Sequence, residues 1–277
     1  MLLGYNTNGF AHHRFEDTLA ILADLGYGAV GITLDVHCLD PFQRETMNQL
    51  GAIRKRLESL GLRSVIETGA RFLLDPRRKH QPTLLSPSDE ERAVRRDFLC
   101  QCIDVAEALG SDGVSFWSGT PVDDAEEETL GDRIRSSLEV LLERAAKQNI
   151  PLALEPEPGM WIDTTAKGQR WIAALDHPML GLTIDIGHLH CLGEGDVPGL
   201  LEGIKDRLWN VHLEDMKEGV HDHLMFGEGE IDFPPIIEWL EANYDRGVYV
   251  ELSRHAHNAV EIARQSKEFI SRLLKSS

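Results

Sequence analysis

The chain of 277 residues is 42% hydrophobic and 27% charged, the balance of an ordinary globular protein, and it contains no apolar run of the roughly 18 residues that span a membrane. A formal charge of −18 argues against nucleic acid as a partner, because a polyanion would be repelled. The start lacks the features of a signal peptide, and four cysteines without CxxC spacing fit a reducing compartment, so we expect a cytoplasmic protein.

Short apolar segments alternate with amphipathic ones along the whole chain. The predicted strands are residues 2–6, 29–34, 63–67, 113–117, 150–155, 180–185, 208–212 and 248–252. Helical periodicity is clearest in the stripe Leu130, Ile134, Leu138, Leu141, Leu142 and Ala145. Several helices are predicted to end at a Leu-Gly pair just before the next strand, as at Gly26, Gly61 and Gly110. Eight strand-helix units predict one (β/α)8 barrel domain over residues 1–277.

The competing architecture is a doubly wound open sheet. The first strand-helix junction reads GYNTNG, which does not match the GxGxxG pattern of dinucleotide-binding sheets. The barrel is therefore the favoured fold.

Two long connections are predicted on the catalytic face of that barrel, residues 69–87 and residues 213–232. The first carries a basic cluster in an otherwise acidic chain, formed by Arg71, Arg77, Arg78, Lys79 and His80. Arginine side chains match phosphate or carboxylate oxygens, so this loop is a candidate site for an anionic group of the substrate. A solvated charged loop explains the same cluster equally well.

Side-chain parity predicts which residues point into the barrel, because successive side chains of a strand alternate between its two faces. Apolar residues at alternate positions are assigned to the helix-facing side, which puts Leu208 inside strand seven and Trp209 outside. The last four predicted strands then each end with one inward polar group, in order Glu155, Asp185, His212 and Glu251. Three buried acids would repel one another unless a cation lay between them.

Each of these residues has an ordinary alternative explanation. A lone acid at a strand end is commonly a helix cap, and a lone histidine is commonly a hydrogen-bonded core residue. The four together at one barrel mouth favour a metal site. Carboxylate oxygens with one imidazole and no sulfur favour Mn²⁺, with Mg²⁺, Co²⁺ or Zn²⁺ as alternatives. Glu157 lies beyond Pro156 and is predicted to be a loop residue behind the ligands.

The second half of the chain resembles the xylose isomerase-like barrel superfamily in LALEPEPG, LTIDIGHLH, WNVHLED, HLMFGEGEIDF and VYVELS, while the first half matches only in its strand-helix rhythm. The resemblance implies that Glu155, Asp185, His212 and Glu251 are metal ligands, and that Glu155 and Glu251 exchange a substrate proton. It also implies substrate binding by His188. We add His223, Arg71, Trp117, Lys217 and Arg254 as candidates for substrate contacts.

The superfamily contains several chemistries, and the sequence leaves more than one open. An isomerase or epimerase would act on a ketose, keto-sugar or sugar phosphate through an enediolate, and a lyase or dehydratase on a keto-cyclitol or keto-sugar would use the same ligands. An apurinic-site endonuclease is disfavoured, because strands three and four end in Glu67-Thr68-Gly69 and Trp117-Ser118, where the nucleases have histidines. A barrel that only binds a ligand is the non-enzymatic alternative. We expect a small carbohydrate substrate and a possible homo-oligomer, with no nucleic-acid or membrane partner.

Overall fold

The computed structural model describes residues 1–275, and eight of its strands are parallel and close into a barrel. These strands are β1 (Leu2–Asn6), β2 (Ala29–Thr33), β3 (Arg63–Glu67), β4 (Val114–Trp117), β5 (Leu152–Glu155), β6 (Leu180–Asp185), β7 (Leu208–Leu213) and β10 (Gly247–Val250). Their order around the barrel is β1-β10-β7-β6-β5-β4-β3-β2. The predicted (β/α)8 barrel is confirmed, and each predicted strand end lies within two residues of the observed one.

Helices surround the barrel. Within residues 1–275 they are α1 (Phe15–Asp24), α2 (Arg44–Leu60), α3 (Asp89–Leu109), α4 (Glu127–Gln148), α5 (Thr165–Leu175), α6 (Ile186–Cys191), α7 (Val197–Ile204), α8 (Phe233–Asn243) and α9 (Ala259–Leu274). The apolar stripe predicted between residues 130 and 145 is the buried face of α4. Gly61 and Gly110 cap α2 and α3 with φ of 67° and 71°, a backbone region that favours glycine.

The apolar core has two parts. A large one lies between the strands and the helices, and a small one inside the barrel contains Ala29, Val65 and Tyr249. The Tyr249 ring lies so close to Gly4 that a Cβ there would approach its Cδ1 to 2.4 Å, so β1 needs glycine at this position. Above this layer, the hydroxyls of Ser115 and Thr183 are 2.8 Å apart across the interior. The barrel is therefore filled with side chains up to its carboxyl-end rim.

One parity assignment is wrong at the start of β7. The register with β6 shifts there, so that Leu182 pairs with Leu208 and Thr183 pairs with Asn210, leaving Trp209 as an additional residue. Leu208 accordingly lies in the outer core, and the Trp209 ring lies against the Gly181 backbone, where a Cβ would be 2.4 Å from its Cδ2. A β-bulge inserts one residue, so the residue before it lies on the opposite face from the one that strict alternation assigns. No apolar pattern in this strand indicates the bulge. The faces predicted for the rest of β7 are unchanged.

The two long connections differ in structure. Residues 69–87, between β3 and α3, contain turns but no helix or strand. Residues 213–232, predicted as a loop, instead contain a short antiparallel hairpin of β8 (Asp215–Lys217) and β9 (Val220–Leu224). Among residues 1–275, no helix combines the length and apolarity needed to cross a bilayer.

Candidate metal centre and active site

Four polar side chains from neighbouring strands meet at the carboxyl end of the barrel. Glu155 and Asp185 are the last residues of β5 and β6, His212 lies in β7, and Glu251 directly follows β10. One potential ligand atom from each lies within 4.8 Å of the ligand atoms of the other three. The structure therefore brings together the four residues that strand parity selected.

The His212 ring is at the centre of this group, which we call the quartet. Its Nδ1 atom lies 2.9 Å from Glu251 Oε2, 3.1 Å from Glu155 Oε1 and 4.0 Å from Asp185 Oδ2. Its Nε2 atom lies 2.9 Å from Glu67 Oε1, on the opposite side of the ring. When Nε2–H donates to Glu67, the Nδ1 lone pair is directed at the space between the three carboxylates.

The quartet is deeply buried, and burial and charge shift its pKa values in opposing directions. Burial raises the pKa of Glu155 to about 7, although the nearby His212 lowers it. Burial also disfavours the Glu251 carboxylate, but His212 outweighs this effect and lowers the pKa of Glu251 to about 2. For His212, burial favours the neutral ring, while Glu67, Glu155 and Glu251 raise its pKa well above the ordinary value. Adjacent acids therefore differ strongly in their affinity for a proton.

The donor atoms of the quartet fit a divalent cation. Three carboxylates and one imidazole nitrogen, without sulfur, are suited to Mn²⁺, Mg²⁺, Co²⁺ or Zn²⁺. Asp185 Oδ2 is buried, and no N–H group of the described residues donates a hydrogen bond to it. The Asp185 carboxyl is paired with that of Glu214, whose pKa is raised well above its ordinary value by burial and by the charge of Asp185. Buried acids crowded in this way repel one another, and a cation between the quartet carboxylates would offset that repulsion.

Two residues that support the quartet were not identified from the sequence. Glu67 ends β3 and accepts hydrogen bonds from His212 and, at 3.0 Å, from Asn210 Nδ2. Asn8, after β1, donates from Nδ2 to Glu251 Oε1 at 2.8 Å. A signal for Glu67 was present, because it shares the inward parity of Val65 and ends its strand as the quartet acids do.

A second group of imidazoles lies beside the quartet. His188 lies in the short helix α6, and His221 and His223 lie on β9 of the hairpin. The Nε2 atoms of His188 and His221 are 3.0 Å apart, and the His188 and His223 ring centres are 5.8 Å apart. Burial lowers the pKa of His188 to about 4 and also lowers that of His221. At neutral pH these two rings are uncharged and are able to exchange hydrogen bonds with hydroxyl groups.

Asp215 fixes the hairpin over the site. Its carboxylate accepts hydrogen bonds from the backbone N–H groups of Met216, Gly227 and Ile231. Glu214, fully buried beside it, accepts from the N–H of Gly187 at 3.1 Å. The family-like segment around residues 212–231 thus holds two histidines at the mouth, in an element that sequence periodicity did not predict.

A cavity of about 520 Å³ opens above the quartet. Most of the residues predicted to contact the substrate line this cavity, namely His188, His223, Arg71, Trp117 and Arg254. Lys217 is the exception, because it is exposed at the end of β8 and does not line the cavity. The predicted substrate contact of Lys217 stays a prediction.

The other candidate residues occupy different positions around the cavity. Arg254 is engaged by Asp222, with 2.7 Å between Nη1 and Oδ1. Glu157 is in a loop, as predicted, and lines the cavity. Burial and the charges of Glu155 and Glu251 raise the pKa of Glu157 to about 8. Of the basic cluster, Arg71, Lys79 and His80 line the cavity, whereas Arg77 and Arg78 do not.

Comparison with known proteins gives a consistent family match. A family model described as the xylose isomerase-like TIM barrel matches residues 19–273. L-ribulose-5-phosphate 3-epimerase UlaE of Shigella flexneri serotype 5b (strain 8401) is 27% identical over 241 residues, covering 84% of this chain and 80% of that protein. This relative supports the prediction of an isomerase or epimerase.

Two further comparisons concern one curated protein and one solved structure. Inosose dehydratase of Lacticaseibacillus casei is 29% identical over 159 residues, covering 50% of this chain and 53% of that enzyme. The crystal structure of the IOLI protein with a bound zinc atom has a TM-score of 0.75 and 14% identity, covering 98% of this chain and 96% of that one. At that identity the structural likeness establishes the shared fold alone.

Proposed function

Because the chain belongs to the xylose isomerase-like TIM barrel family, we propose that it is a divalent-metal-dependent sugar epimerase or isomerase. Its substrate is a ketose, keto-sugar or sugar phosphate, and the reaction moves a proton on a carbon beside the carbonyl through an enediolate. The observation that carries this proposal is the convergence of Glu155, Asp185, His212 and Glu251 on one point at the barrel rim.

The same four side chains would hold the metal, with Mn²⁺ the preferred ion and Mg²⁺, Co²⁺ or Zn²⁺ as alternatives. When bound, a divalent metal polarises a carbonyl and acidifies the adjacent C–H. Glu67 would keep the His212 ring in the orientation that directs Nδ1 inward, as a carboxylate behind a ligand histidine does in many metalloproteins. The relative described with a zinc atom supports metal binding in this fold.

Glu155 and Glu251 are the proposed acid-base pair. β5 and β10 are separated in the barrel by β6 and β7, so the two carboxyl groups reach the site from different sides. One removes the proton from the substrate carbon, and the other returns a proton to the opposite face or to the neighbouring carbon. The hydrogen bond from Asn8 holds Glu251 Oε1 and leaves Oε2 on the side of His212.

The cavity walls provide the proposed substrate contacts. The uncharged rings of His188 and His221, with His223 beside them, suit the hydroxyl groups of a sugar. Trp117 offers an apolar face on the β4 side of the same space. Polar groups on one side and an aromatic ring on the other would orient the carbonyl towards the quartet.

A dehydratase acting on a keto-cyclitol or keto-sugar is the second candidate, supported by the similarity to inosose dehydratase. Both reactions begin with the same proton removal, so one experiment separates them. The Mn²⁺-loaded protein is incubated in D₂O with ketoses, ketose phosphates and keto-cyclitols. Deuterium at a carbon beside the carbonyl of an isomeric product supports the epimerase. An enone, seen by its ultraviolet absorbance, supports the dehydratase. Absence of both reactions across the panel contradicts the proposed function.

A further inference from the structure

The loop after β3 places unpaired positive charge at the mouth of the cavity. Arg71 and Lys79 both line it, and neither forms an ion pair with any carboxylate within residues 1–275. Arg78 on the same loop is neutralised by Asp75 at 2.6 Å and Glu91 at 3.0 Å. Both positive charges are therefore available to an anionic group in the cavity, in a chain that has 46 acidic and 28 basic residues.

Hydrogen bonds hold the two ends of this loop together and fix it to a helix. The N–H of His80 donates to the carbonyl oxygen of Arg71 at 2.6 Å, which closes the loop at its base. Arg95 of α3 donates to the carbonyl oxygens of His80 and Pro82, at 2.9 and 2.8 Å. The segment carrying Lys79 is thereby attached to a helix. The part of the cavity lining formed by Arg71 and Lys79, which we call the charged wall, is therefore held in a fixed position.

Arg95 adds a third positive charge behind this wall. Its side chain is 2% exposed, its guanidinium carbon lies 4.7 Å from the Trp117 ring centre, and it has no carboxylate partner in the described structure. These three positive charges also affect the pKa of the neighbouring His80. It falls to about 4, first because of burial and then because of Lys79, Arg95 and Arg71. An incoming anion would therefore meet two cations at the cavity wall, with the buried Arg95 behind them.

Arg71 and Lys79 line the mouth on the side away from Glu251. Their loop follows β3, two strands from the β5 strand that carries Glu155, whereas Glu251 follows β10. Neighbouring strands are about 4.8 Å apart, so the wall is within reach of the far end of a short sugar whose carbonyl is at the quartet.

We propose that Arg71 and Lys79 form an anion subsite for a terminal phosphate or carboxylate group of the sugar substrate. The guanidinium offers paired N–H donors to two oxygens of such a group, and the ammonium supplies a second charge. This inference rests on the proposed function and refines it: the substrate is an anionic ketose.

The test compares three substrate types with four proteins. Ketopentose 5-phosphates, the same ketopentoses without phosphate, and ketoses with a terminal carboxylate are assayed by deuterium incorporation. The proteins are the wild type, Arg71→Ala, Lys79→Ala and the matched control Arg77→Ala, which removes a cation of the same loop from outside the cavity. A charged hydrogen bond contributes about 1.5–3 kcal/mol, so each cavity substitution should lower kcat/KM for the preferred anionic sugar about 10- to 100-fold.

We expect Arg71→Ala and Lys79→Ala to lose activity on anionic sugars and to keep the wild-type rate on neutral ones. Arg77→Ala should match the wild type on both kinds of sugar. The better of the phosphorylated and carboxylated substrates identifies the anion. Equal turnover of neutral and anionic sugars by the wild type, or equal losses on both, would overturn the subsite while leaving the proposed function intact.

A binding measurement keeps the subsite testable if no sugar reacts. Inorganic phosphate is titrated into the Mn²⁺-loaded wild type, the Arg71→Ala/Lys79→Ala double variant and Arg77→Ala. Weaker phosphate binding by the double variant alone supports the subsite even if the proposed function fails. Equal binding by all three proteins overturns it.

Discussion

Replacing Glu67 by glutamine should weaken metal binding without disturbing the fold. The amide oxygen is still able to accept the hydrogen bond from His212 Nε2, which spans 2.9 Å in a buried setting, but the negative charge is lost. A hydrogen bond to a charged group contributes about 1.5–3 kcal/mol and a neutral one about 0.5–1.5 kcal/mol. The difference of roughly 1.4 kcal/mol corresponds to about a tenfold weaker Kd for Mn²⁺.

Glu67→Ala removes the acceptor as well and should approach a 100-fold loss, the upper end for groups that support a ligand histidine. Calorimetric titration of metal-free protein with Mn²⁺ measures both variants. The matched control is Asp35→Asn, which removes one buried carboxylate from the same cavity without contact to His212. An unchanged Kd in both Glu67 variants, or an equal loss in Asp35→Asn, would refute a specific role of Glu67 in orienting the histidine.

Two further predictions concern the quartet itself. Glu155→Gln and Glu251→Gln should each abolish deuterium exchange into substrate while the circular dichroism spectrum stays native, and an active variant at either position would remove that residue from the acid-base pair. Mn²⁺ affinity should fall as the pH drops below 7. Burial raises the pKa of Glu155 to about 7 in the metal-free protein, so a proton competes with the ion. The loss should be at least about tenfold per pH unit, because the raised pKa of His212 adds a second competing proton, and equal Kd values at pH 5.5 and 7.5 would contradict it.

The barrel and its quartet were predictable because both depend on simple periodicities. Alternation of side chains in β5, β6 and β10 decides which residues face inward, and buried strands show it in their apolar positions. The same alternation predicts that Glu155 and Asp185 face inward, and it applies equally to Glu67 at the end of β3.

Other features depend on contacts between segments distant in the chain. The bulge at Trp209 is set by the pairing of β7 with β6, and the hairpin after β7 is held by Asp215 through loop N–H groups that follow it. Neither leaves a periodic trace in its own segment. The residues of the basic cluster differ in environment for a similar reason. Arg78 forms ion pairs with Asp75 and Glu91, whereas Arg71 lines the cavity. Composition alone does not distinguish these arginines.

The most direct test of the metal site is anomalous diffraction from crystals of the protein loaded with Mn²⁺. The account predicts one strong peak bounded by Glu155, Asp185, Glu251 and Nδ1 of His212, with His212 Nε2 still bonded to Glu67. A peak held instead by His188, His221 and His223, or no peak at full Mn²⁺ loading, would contradict it.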